Sequence, residues 1–148
     1  MRRALGRETA MNVTAKVNVR EDGMPEIFLE GLRVWVRESE SGDQWIANGI
    51  DIDYATSGET QELAVKAFVF GLCLTMVEHQ KRFNSLEKLL SRRAPDDIYK
   101  AWMREVEMNR LDHRVSRFQL PEAEFGDNAP HRLIPHALRV YEPRAVHA

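Results

Sequence analysis

Two carboxylates, Asp51 and Asp53, stand two residues apart. On a strand, side chains repeat their direction every second residue, so both would face one way and could hold Mg²⁺. No third acid follows at a recognisable spacing, so the pair reads as the polar face of an edge strand, and no metal or other cofactor is expected. His79, His113, His131, His136 and His147 are scattered, with no His-x-x-x-His helical pair, and His131 and His136 sit in a proline-bearing segment that reads as a surface loop. Cys73 lies in an apolar run with nothing nearby to lower its pKa, so it reads as a small buried hydrophobe. There is no Gly-x-Ser-x-Gly, no phosphate-binding loop and no dinucleotide fingerprint. Nothing supports an enzyme, and a non-catalytic protein is expected.

Binding is the better-supported chemistry. Trp35 alternates with Val34 and Val36, so if those face the core, Trp35 faces the other side of the sheet. There it would anchor a partner, or it would be covered by the proline-bearing tail or by the helix around Trp102. Glu38, Glu40, Asp51 and Asp53 would supply the charge around such an anchor. Arg82, Lys88, Arg92 and Arg93 form the densest basic group, with Phe83 and Asn84 close by. They are a weak nucleic-acid candidate and are better read as a solvated helix end.

These residues need elements to hold them. Leu32–Glu38 has the period of a half-buried strand, the turn-rich Ser39–Asp43 follows, and Trp45–Ile50 is the second arm of a hairpin. Ile50, Ile52 and Tyr54 alternate with the two aspartates and predict a third strand. Ile27–Leu29 is a short extra strand or an entry loop. Thr60 is a good N-cap for a helix over about 61–82, with Glu59 and Glu62 where the helix dipole favours negative charge. Its apolar surface is wider than one sheet face requires, so a second helix or a second subunit should cover part of it. Ala64, Ala67 and Gly71 make a strip where another backbone could approach closely. Ser85–Leu90 predicts a short helix, and Asp96–Asp97 start another that runs to about Arg110. Beyond Phe118, Pro121, Pro130, Pro135 and Pro143 preclude a long helix; Leu133–Tyr141 could add a strand, but a mostly extended tail is expected.

The 148 residues suit one domain, with 43% hydrophobic and 30% charged residues and a net charge of −2. Met1–Arg20 carries +4, Glu21–Glu62 carries −9, Leu63–Arg93 carries +4 and the remainder −1. A whole-protein attraction to nucleic acid is therefore excluded, whereas the acidic stretch could meet a basic partner. Arg2, Arg3 and Arg7 are followed by Glu8 rather than by the apolar run of about 7–15 residues that a signal peptide needs. No stretch approaches the ~20 apolar residues of a membrane span, so a cytoplasmic setting without membrane attachment is expected.

The segment Val34-Trp35-Val36-Arg37-Glu38, then Gly42-Asp43-Gln44-Trp45-Ile46-Ala47, then Gly58-Glu59-Thr60-Gln61-Glu62-Leu63-Ala64 resembles the HicB-like antitoxin family over residues 32–83. The resemblance implies a partly formed RNase H-like fold with a sheet packed on a helix. It also implies a protein that neutralises a small basic HicA-type RNA-cleaving toxin. The chain departs from the family at Gly49-Ile50-Asp51-Ile52-Asp53 and lacks a clear DNA-binding motif at its C-terminal end.

The combined expectation is an α+β fold: a three- or four-stranded, mainly antiparallel sheet on one long helix, a helical extension and an irregular tail. Residues 1–20 would be a flexible basic arm, 21–83 the HicB-like domain, 84–112 the extension and 113–148 the tail. The function expected first is occlusion of a basic toxin by Trp35, Glu38, Glu40, Asp51 and Asp53. Alternatives are a phage- or defence-associated inhibitor with another partner, and a DNA-binding regulator acting through Arg82, Lys88, Arg92 and Arg93. The oversized apolar helix predicts a homodimer.

Overall fold

A computed structural model describes residues 14–19, 25–83, 85–116 and 133–144. The chain is an α+β protein. Its strands are β1 (Thr14–Val19), β2 (Pro25–Glu38), β3 (Trp45–Gly49), β4 (Ala55–Gly58), β5 (Leu111–Ser116) and β6 (Leu133–Pro143). Its helices are α1 (Gln61–Phe83), α2 (Glu87–Leu90) and α3 (Asp96–Glu107). The six-stranded sheet runs β4-β3-β2-β6-β5, with β1 also on β2. All pairings are antiparallel except β2 with β6.

β2 organises the sheet. β6 lies along one edge from Ile27 to Trp35. The other edge takes β1 against Pro25–Glu30 and then β3 against Val34–Glu38. Where the first stretch ends, the β2–β6 register shifts at Leu29/Glu30 and again at Glu30/Leu32, and Gly31 adopts φ +84°, a conformation glycine takes without the strain a side chain would add.

Each face of the sheet carries its own core. Leu32, Val34, Val36, Ala47, Leu138 and Val140 pack against Ala64, Phe68, Leu72 and Met76 of α1, with Leu86 and Leu90 closing the end. On the opposite face, Trp35 and Ile50 pack against Trp102 of α3, with Ile98, Tyr99, Leu111 and Tyr141 around them. Among the described residues no helix is long and apolar enough to cross a membrane.

The hairpin, α1 and α3 fall where the sequence places them, and Thr60 caps α1 by accepting a hydrogen bond from the Leu63 N–H at 3.1 Å. Four expectations are corrected. The third strand is not Ile50–Tyr54: Ile50–Asp53 is a bent loop and the strand begins at Ala55. Residues 14–19 of the expected arm form β1, whereas 1–13 lie outside the described residues. The end of the expected extension and the expected tail supply β5 and β6, the latter over the stretch the sequence offered as a possible strand, so the sheet has six strands and contains a parallel pair, while 117–132 and 145–148 lie outside the described residues. His136 sits within β6 rather than in a loop, and His131 and His147 lie outside the described residues.

Candidate functional site

The two aspartates do not form a pair. Asp51 is only 7% exposed, and Asp53 is exposed on the far side of a bend. Asp51 accepts the Arg33 backbone N–H at 2.9 Å, Arg33 Nη2 at 2.7 Å and Arg33 Nε at 3.2 Å. Burial would lower the Arg33 pKa, but the hydrogen bonds and charge of Asp51 outweigh it and leave the pKa above the usual value. The Arg33 guanidinium also lies over the Trp102 ring at 4.8 Å. Asp51 is therefore committed to an internal ion pair and is withdrawn from the expected partner surface.

Trp35 is withdrawn as well. It does face away from α1, but α3 covers it and leaves it 8% exposed. Arg37 stacks over its ring at 5.2 Å and donates from Nε to Asn48 Oδ1 at 3.0 Å. Of the two covers the sequence left open, the helix around Trp102 is the one present.

The acids at the other end of the hairpin come together instead. The register pairs Glu38 with Trp45 and Trp45 with Gly58, so three chain segments finish at one end of the sheet. Glu38, Glu40, Asp43, Glu59 and Glu62 are all exposed there, with Trp45 half-buried among them. Hydrogen bonds from the Ser41 and Ser39 hydroxyls hold the Asp43 carboxyl below the usual aspartate range. Its contribution to the turn is therefore complete above the ordinary aspartate pKa and is lost only as pH falls through the lowered value. Sequence reasoning found Glu38 and Glu40 but not Asp43, Glu59 and Glu62 as one group. The missing signal was the β3–β4 register, which brings Glu59 back beside the hairpin.

Among the described residues, one concavity lies at the end of the sheet formed by β2, β5 and β6, and another lies beside α1 and α2. One, of about 550 Å³, is lined by Trp35, Arg37, Glu105, Arg110, Leu111 and Arg144 among others, and its rim is braced by Glu105–Arg110 at 3.5 Å and Arg144–Asp112 at 3.3 Å. Arg144 lies in the expected tail and gave no local signal. The other, of about 460 Å³, is lined by Asp53, His79, Lys88, Leu89, Ser91 and Arg92. It lies at the far end of α1, beside Arg82 and Phe83. Arg93 stands apart from this group, paired with Asp96 at 3.1 Å and stacked on Tyr99 at 4.0 Å.

No group of three or more His, Cys, Asp or Glu among the described residues is placed to hold a metal ion. Cys73 is buried, and that burial pushes its thiol pKa far up, which keeps it protonated and unreactive. Compared with family models, curated proteins and solved structures, the chain gives no match in any of the three.

Proposed function

We propose that this chain is a non-catalytic, cytoplasmic binding module that neutralises a small basic protein by occlusion, as its resemblance to HicB-like antitoxins implies. The observation that carries the proposal is the exposed acidic end: Glu38, Glu40, Asp43, Glu59 and Glu62 around Trp45. A nuclease that grips RNA through lysines and arginines presents a surface complementary to such a cluster, and docking there would cover the RNA path. The sequential β2, β3, β4 and α1 also follow the strand-strand-strand-helix order on which the resemblance rests. The docking surface is moved from the sheet face, which α3 covers, to the sheet end. The same proposal includes a homodimer through α1, whose outer side exposes Leu63 and Leu74.

The test is isolation of the tagged protein with its bound partners at low salt, followed by mass spectrometry. The measurement is repeated with Glu38→Lys, Glu40→Lys and Asp43→Lys combined. The expected partner is a small basic protein that cleaves RNA when free, is inhibited in the complex, and is released by salt and by the triple substitution. A partner without nuclease activity, lost in the same way, would replace the toxin reading with that of an inhibitor of another protein. Retention unchanged by the three reversals would overturn the acidic end as the interface.

A further inference from the structure

The far end of α1 has the opposite character. Phe83 is 45% exposed, although it is a large apolar ring at a helix terminus. Lys88 Nζ lies 4.9 Å from its centroid and the Arg82 guanidinium 5.7 Å. His79 packs on the same ring, tilted, at 5.3 Å. Beside the ring is the 460 Å³ pocket, whose wall contains Lys88, Arg92 and His79. Arg82, Lys88 and Arg92 make no ion pair among the described residues. His79 Nδ1 is buried without a hydrogen-bond partner among the described residues, an unmet polar group within the pocket wall.

We infer that this end of the molecule binds single-stranded nucleic acid, with a base stacked on Phe83 and the adjoining phosphate held in the pocket by Lys88 and Arg92. An exposed aromatic ring flanked by cations that no carboxylate neutralises among the described residues is the pairing that single strands use: the ring takes an unstacked base, and the cations follow the backbone. A duplex hides the faces of its bases and would leave Phe83 unused. An acidic peptide would engage the cations but leave both the ring and the concavity without a role. Asp53 is the dissenting group in the pocket, since its exposed carboxylate repels a phosphate.

The site lies at the opposite end of α1 from the acidic cluster and does not depend on a basic partner, so either proposal can fail without the other. The measurement is fluorescence anisotropy of labelled oligo(U) and of oligo(dT) of equal length, titrated with the full chain at several salt concentrations. Binding is expected to weaken steeply with salt, and preference for one oligomer identifies RNA or DNA as the source. Phe83→Ala should weaken binding about tenfold with little change in the salt slope, because stacking contributes without releasing counterions. Phe83→Leu, which keeps apolar bulk for folding but removes the π face, should weaken it similarly. Lys88→Glu with Arg92→Glu should abolish binding, and Asp53→Asn should tighten it about twofold by removing a like charge. Absence of binding at low salt would overturn the inference. So would affinity indifferent to both Phe83 variants, which would leave only diffuse charge attraction. Complete displacement by equimolar inorganic phosphate would also overturn it, by reducing the pocket to a small-anion site.

Discussion

Asp51 and Asp53 carry the same side chain, yet their environments give them different roles. Asp51 satisfies a backbone N–H and a guanidinium beneath Trp102, whereas Asp53 is exposed. Removing one member of a buried, hydrogen-bonded pair strands the other, so Asp51→Ala should destabilise the fold by about 3 kcal/mol. Asp53→Ala should change stability by less than about 0.5 kcal/mol. Urea denaturation of both variants checks this; equal effects would contradict the structure. The alternation Ile50-Asp51-Ile52-Asp53 looked like a strand because residue types alone carry no record of hydrogen bonding. Here the Ile50 N–H goes to the Arg33 carbonyl at 2.9 Å, and the Asp53 N–H to the Arg92 carbonyl at 2.7 Å, which bends the segment into a loop. Trp35 was legible as the residue facing away from α1. Its burial depended on a contact with α3, more than sixty positions further along the chain, which no local pattern encodes.

At the scale of elements, α1 was the most legible, because Thr60 caps its start and the 23 residues that follow are largely apolar with no proline to interrupt them. The strip of Ala64, Ala67 and Gly71 does admit a close neighbour, but part of it is filled from within the chain. A Cβ on Gly58 of β4 would lie 2.6 Å from the Ala64 nitrogen, and a Cβ on Gly71 would lie 1.9 Å from the Tyr54 hydroxyl. Gly71→Ala should therefore destabilise by about 1–3 kcal/mol despite the better helix propensity of alanine. In a Tyr54→Phe background the hydroxyl is gone, and the nearest ring carbon is at 3.2 Å. Thermal denaturation of the double-mutant cycle should then show a clearly smaller penalty; strict additivity would mean that the two residues do not touch. β6 was hard to read for a physical reason. Pro135 and Pro143 argue against a central strand, and both are accommodated at special positions, Pro135 beside the register shift and Pro143 as the last residue. Leu138, Arg139 and Val140 alternate buried, exposed and buried, too short a stretch to outweigh the prolines.

Across the whole molecule, a net charge of −2 conceals a separation of charge. The acidic end lies at the start of α1 and the Phe83 patch at its finish, about 34 Å apart for a helix of 23 residues. Leu63 and Leu74, 48% and 49% exposed, lie on the outer side of α1 between these ends, with Ala67 and Phe70 at spacings that continue one helical stripe. Two copies pairing antiparallel through this stripe would set each acidic end beside the partner's basic end. Light scattering at micromolar concentration should give a dimer, and Leu63→Glu with Leu74→Glu should give a monomer. A monomeric parent protein would refute the proposed dimer.

The parallel pairing of β2 with β6 sets the order in which this molecule can assemble. Ile27 meets Leu133, a partner synthesised about a hundred residues later. The hairpin, β4 and α1 are close in sequence and can form while translation continues, but one edge of β2 stays unpaired until β6 is made. Pairing across such a long loop is slow compared with local contacts. During that interval the growing chain exposes a strand edge able to capture a neighbouring polypeptide, so the rate at which β6 docks governs how much nascent protein escapes aggregation.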